Sequence, residues 1–142
     1  MDLAGLLLPR KPDLRGQGQT LLFIEDDSVL RPLFVKSLER FNYRVLVAAT
    51  VPEALLVWSA HRSEISAVVS DRHLGSDRDG LSLLQEFSAD KPSIVMVLTS
   101  GSLTPEVIET LHRTTRIHCL SKPFALLDLL LILNRSLDNP AP

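Results

Sequence analysis

LLFIEDD, residues 21–27, is the stretch on which the reading of the fold turns. An apolar run leads straight into Glu25, Asp26 and Asp27, and the pattern recurs where AVVS, residues 67–70, meets Asp71. Apolar runs this short and this rich in Leu, Ile and Val read as strands covered on both faces, as in a parallel sheet, so the acids fall at the strands' carboxyl ends. In an open α/β sheet that edge is where ligands bind. Gathering Glu25, Asp26 and Asp71 there sets like charges side by side unless a cation neutralises them, and hard oxygen donors favour Mg²⁺.

Outward from these two strands the chain alternates. Strands are expected at 20–25, 43–48, 65–70, 93–99 and 116–120, and helices at about 28–40, 51–61, 80–89, 105–113 and 124–137. Five βα repeats argue for a parallel sheet with helices on both faces. Thr50 and Glu53 have the spacing of a capping box, and Thr104-Pro105 places a cap before proline at a first helical position. Before Thr20, PRKPDLRGQGQ (residues 9–19) mixes prolines, glycines and charges without apolar periodicity. The expected organisation is therefore an arm or linker over 1–19, one domain over 20–137 and a tail over 138–142.

With 142 residues, 45% of them hydrophobic, the chain has material for a single core. A formal net charge of −2 with scattered basic residues leaves no electrostatic footprint for nucleic acid, so direct DNA binding is not expected. The single cysteine, Cys119, excludes an internal disulfide framework and fits a reducing, cytoplasmic setting. The longest apolar run, Leu129 to Leu133, is far too short to span a bilayer.

Four elements share the expected sheet edge: Glu25-Asp26, Asp71, Thr99-Ser100-Gly101 and Lys122-Pro123-Phe124. Taken singly, each has a plain structural reading, since acids and prolines both favour helix starts. In this order they resemble the receiver domain of two-component response regulators, over residues 20 to about 136. The resemblance implies the flavodoxin-like fold, a doubly wound five-stranded parallel sheet of order 2-1-3-4-5. It implies that Asp71 is a nucleophile taking a phosphoryl group from phosphohistidine on a sensor histidine kinase or histidine phosphotransfer protein. Mg²⁺ would be held by Asp26, Asp71, the backbone carbonyl of His73 and, through water, Glu25. Lys122 would contact the phosphoryl group, followed by a cis peptide at Pro123. Either Thr99 or Ser100 could supply the hydroxyl that meets a phosphoryl oxygen. Ser100 is favoured, because Ser100-Gly101 resembles the family's serine-glycine variant and lies 22 positions before Lys122; Thr99 would then end the strand and point to the opposite face.

The sequence departs from the common family pattern in three places. The loop RHLGSDRDG, residues 72–80, has Gly75 where proline is commonest and reaches Asp79-Gly80 one residue late. His73 is equally an exposed loop histidine or a residue shaping water access to the acyl phosphate. Cys119 occupies the position of an aromatic switch and is too small for that role. In ALLDLLLILNRSL, residues 125–137, helical periodicity makes Leu126, Leu130, Leu133 and Leu137 the core stripe. Leu127, Leu131 and Ile132 fall outside it and suggest an interface, such as that of a homodimer. The expected function is a phosphorylation-controlled switch, stand-alone or cut from a hybrid histidine kinase, that catalyses its own phosphorylation and dephosphorylation. The alternative is a pseudo-receiver acting as a docking module without phosphorylation.

Overall fold

The structure, a computed structural model, describes residues 13–75 and 79–138. Most of the expected arm, part of the loop after Asp71 and nearly all of the expected tail lie outside the described residues. Five parallel strands, β1 (Thr20–Ile24), β2 (Arg44–Ala48), β3 (Ile65–Asp71), β4 (Val95–Ser100) and β5 (Ile117–Ser121), form one sheet in the order β2-β1-β3-β4-β5. Between and after them run α1 (Leu30–Arg40), α2 (Val51–His61), α3 (Gly80–Asp90), α4 (Pro105–Thr114) and α5 (Leu126–Asp138). This is the doubly wound, flavodoxin-like arrangement.

Period-2 alternation divides the apolar strand residues between two cores. Leu22, Ile24, Val68, Met96 and Leu98 meet α2, α3 and α4 on one face, and Leu21, Phe23, Ala67, Val69 and Val97 meet α1 and α5 on the other. Covered on both sides, β1 is buried at every position, whereas the edge strand β2 has Arg44 and Val47 exposed and only Ala48 buried. Each fully buried Leu or Phe contributes about 1.5–3 kcal/mol relative to an exposed one. Trp58 and Phe87 stack with ring centroids 4.2 Å apart and tie α2 to α3.

Local chemistry sets the element ends. The Thr50 and Thr104 hydroxyls accept from the backbone N–H of Glu53 and Val107, as their spacing predicts. Most boundaries fall within one residue of expectation, and three starts lie two residues late. α1 starts at Leu30 because the Asp27 carboxylate takes the amides of Val29 and Leu30, at 2.8 and 3.0 Å. β4 starts at Val95 because residues 91–94 close a turn, with Ile94 N–H donating to the Lys91 carbonyl. α5 starts at Leu126, after a cis Lys122–Pro123 peptide, so Pro123 is no helix start.

Two regions pack more tightly than the sequence suggests. In α5 the fully buried residues are Leu129, Leu130 and Leu133, whereas Leu126 and Leu137 are half-buried. Leu129 was missing from the expected stripe, and Leu131 and Ile132, expected outside it, are half-buried against the α1–α5 core. A helix laid on a sheet beside another helix is covered along its flanks as well as underneath, which widens the buried arc. Of the three residues proposed for an interface, only Leu127 is well exposed, at 52%. The stretch 13–19, expected to be linker, is docked: Leu14 enters the same core, and Gly16 N–H donates to the Phe41 carbonyl at 2.7 Å. The Asn42 side chain, from a left-handed residue at φ 66°, closes the turn by donating to the Gly16 carbonyl.

Candidate functional site

Parallel order brings the carboxyl ends of β1, β3, β4 and β5 to one edge, and with them the residues picked out by sequence. Glu25 and Asp26 follow β1, Asp71 ends β3, Ser100 ends β4 and Lys122 follows β5. β3 and β4 pair Asp71 with Thr99, and β4 and β5 pair Ser100 with Ser121. By alternation Asp71 lies on the α1–α5 side with Val69, and Ser100 on the α2–α4 side with Leu98. Behind Asp71, α3 begins so close to β3 that a Cβ on Gly80 would overlap the Asp71 carbonyl oxygen and the Ser70 hydroxyl. Asp79 caps that helix by accepting from Ser82 N–H, so the cap assignments leave Asp71 free. Asp27, which caps α1, likewise leaves Glu25 and Asp26 free; its two backbone bonds hold its carboxyl below the usual range.

The Lys122 ammonium sits between two of the acids, 2.6 Å from Glu25 Oε1 and 3.2 Å from Asp71 Oδ2. Glu25 is 3% exposed, and its second oxygen, Oε2, is buried with no hydrogen-bond partner among the described residues. Burial pushes the Glu25 carboxyl up, and Asp71 adds to the push, against the opposing pull of Lys122. Burial would lower Lys122, but Glu25 and Asp71 outweigh it and hold the ammonium above its ordinary range. Arg31 donates to the Glu25 carbonyl at 2.9 Å and ties α1 to this loop.

Glu25, Asp26 and Asp71 each offer a carboxylate oxygen within 4.8 Å of the others. Three hard donors, one with an orphaned buried oxygen, fit a divalent cation, because the cation supplies the charge that a lone ammonium cannot balance. Asp26 is exposed, leaving one side of the cluster open to solvent.

The β4 end resolves less simply. Thr99 and Ser100 are both buried, and the Thr99 carbonyl accepts from Arg72 N–H at 2.8 Å. The Ser100 hydroxyl accepts from Ser102 N–H at 3.1 Å and shares a hydrogen bond with the Ser102 hydroxyl, also at 3.1 Å. Ser102 in turn lies 3.2 Å from His73 Nε2, and His73 N–H faces Asp71 Oδ1 at 3.4 Å. Sequence reasoning passed over Ser102 and Arg31, for which only the polar character of the loop and the distance along α1 were signals. Cys119 is half-buried against the α2–α4 core; burial pushes its thiol up and the nearby Arg72 pulls it down.

A family model described as the response regulator receiver domain matches residues 21–134. Among curated proteins, the chain is 31% identical over 127 residues to the sensor kinase CckA of Brucella abortus, covering 89% of this chain and 13% of that protein. It is 29% identical over 119 residues to a putative NtrX-like response regulator of Rickettsia conorii, covering 83% of this chain and 25% of that protein. The chain thus spans a quarter or less of these relatives. Among solved structures, a response regulator receiver domain protein from Clostridium thermocellum superposes with a TM-score of 0.77 at 21% identity, covering 84% of this chain and 94% of that one. The signal receiver domain of an HD domain-containing protein from Pseudomonas fluorescens Pf-5 gives 0.75 at 25%, covering 86% and 96%.

Proposed function

The chain belongs to the response regulator receiver domain family, and from that premise we propose that it is a phosphorylation-controlled switch. In this reading the Asp71 carboxylate takes the phosphoryl group of a phosphohistidine in a Mg²⁺-dependent reaction. The donor is a sensor histidine kinase or histidine phosphotransfer protein, in keeping with the likeness to a sensor kinase. The observation that carries the reading is the paired environment of Asp71: Lys122 Nζ at 3.2 Å and the three-carboxylate cluster around it. Phosphoryl transfer asks a protein chiefly to position the nucleophile and neutralise charge on the transferring oxygens.

The roles divide by geometry. β3 and Gly80 hold Asp71 at the sheet edge, where its carboxylate attacks phosphorus. Glu25 and Asp26, with Asp71 and the His73 carbonyl, would hold Mg²⁺, which when bound supplies the positive charge that lets an anionic donor approach. Lys122 would turn from Asp71 to a phosphoryl oxygen, and Ser100 would donate its hydroxyl proton to another.

Incubation with acetyl phosphate and Mg²⁺ tests the reading, with intact mass as the readout. One added phosphoryl group is expected on the wild type and none on Asp71→Asn or after chelation. Equal labelling of Asp71→Asn would overturn the nucleophile, and an unlabelled wild type would favour the docking module.

A further inference from the structure

A chain of side chains crosses from the β4 loop to the loop that follows Asp71. It runs from the buried Ser100 Oγ to Ser102 Oγ at 3.1 Å and on to His73 Nε2 at 3.2 Å. Ser100 Oγ also accepts from Ser102 N–H, so the hydroxyl is held from two directions by one neighbour. A serine hydroxyl has a single proton. When His73 Nε2 accepts the Ser102 proton, the Ser100–Ser102 contact must use the proton of Ser100. That proton is then unavailable to any other acceptor.

We infer that Ser102 and His73 form a latch that holds the Ser100 hydroxyl proton away from Asp71 until a phosphoryl group competes for it. The inference rests on the reading of Ser100 as the hydroxyl that meets the phosphoryl oxygen. Release needs only a turn about the Ser100 Cβ–Oγ bond, because the amide of Ser102 continues to donate to Oγ throughout. Ser102 and the His73 ring are positioning groups that act through Ser100, apart from the His73 backbone, whose N–H faces Asp71 Oδ1. The latch makes the phosphorylated state less favourable by the worth of the contact it must give up.

Beryllofluoride, a phosphoryl mimic that binds carboxylate in the presence of Mg²⁺, reads this as an equilibrium by amide chemical-shift titration of the whole chain. Ser102→Ala is expected to tighten binding by roughly two- to tenfold, the worth of one hydrogen bond between neutral groups. Ser102→Thr keeps the hydroxyl and is expected to bind like the wild type. His73→Phe keeps the ring without its nitrogen, and is expected to tighten binding by less and to add nothing to Ser102→Ala. In a Ser100→Ala background, Ser102→Ala is expected to have no effect. Wild-type binding with Ser102→Ala unchanged, or an equal effect of Ser102→Ala in the Ser100→Ala background, would overturn the latch alone. An additional effect of His73→Phe on Ser102→Ala would remove His73 from it. A wild type that binds no beryllofluoride would overturn the underlying reading and the latch with it.

Discussion

Lys122 answers to two acids, and truncating it isolates what its charge does in the metal-free protein. Lys122→Ala leaves Glu25 and Asp71 without their cation, with Glu25 Oε2 already unpartnered. Removing one partner of a partly buried pair is expected to cost about 1–3 kcal/mol in metal-free urea unfolding, somewhat less than for a fully buried pair. Mg²⁺ should recover most of that loss, because it replaces the missing charge; a loss unchanged by Mg²⁺ would mean that the metal binds elsewhere. At the other end of β5, His118 tests the pH response away from the acids. Its ring accepts from or donates to Ser136 on α5 at 3.2 Å, and burial first, with His112 second, depresses its pKa below the ordinary 6.5. In the window just below pH 6.5 the unfolded chain therefore binds more protons than the folded one, and stability rises with pH. Thermal stability is expected to be fullest above pH 6.5 and to fall as the solution is acidified through that window, with a shallower fall in His118→Gln. An identical pH profile for the variant would show that His118 does not contribute.

Among the elements, α5 carries the clearest contrast between position and pattern. Leu129 is fully buried between the sheet and α1, whereas Leu127, two residues earlier, is half in solvent. Leu129→Ala is expected to cost about 2–5 kcal/mol by chemical denaturation, and Leu127→Ser to stay within about 0.5 kcal/mol. Leu131→Asp is expected to lower stability, because the Leu131 side chain packs against the α1–α5 core. Should Leu131→Asp melt like the wild type while sedimenting as a smaller species, the interface reading of α5 would regain Leu131.

At the scale of the whole molecule, the site is assembled by strands far apart in sequence, so occupancy of the site reports on the integrity of the sheet. A ligand that binds only the folded state stabilises it by RT ln(1 + [L]/Kd), about 2.7 kcal/mol at a hundredfold excess over Kd. Mg²⁺ is expected to raise the midpoint of thermal unfolding in a concentration-dependent way, and Asp26→Asn to blunt that rise without lowering the metal-free midpoint. A rise of equal size in Asp26→Asn would take Asp26 out of the metal site. Among the described residues no helix is long and apolar enough to cross a membrane, and the two cores on either side of the sheet account for nearly all the large buried side chains.

The alternation of strands and helices, and with it the placing of Glu25, Asp26, Asp71, Ser100 and Lys122 at one sheet edge, was legible in local pattern, whereas the strand order came from the resemblance to receiver domains and is the order observed. Period-2 and period-3.6 patterns are local, and parallel topology then dictates which ends coincide. The threonine caps of α2 and α4 were legible for the same reason, since a cap and its amide lie three residues apart. What tertiary structure alone decided depends on separations that no local pattern encodes. Lys122 reaches Glu25 more closely than Asp71 across 97 positions of chain. Leu14 joins the core from a segment whose composition reads as linker, and Leu131 and Ile132 are covered because α1 stands beside α5. The bond from Ser102 to His73 joins two loops that the adjacency of β3 and β4 brings together. Local pattern settles which face and which edge a residue occupies, and packing between distant elements settles which partner it meets there.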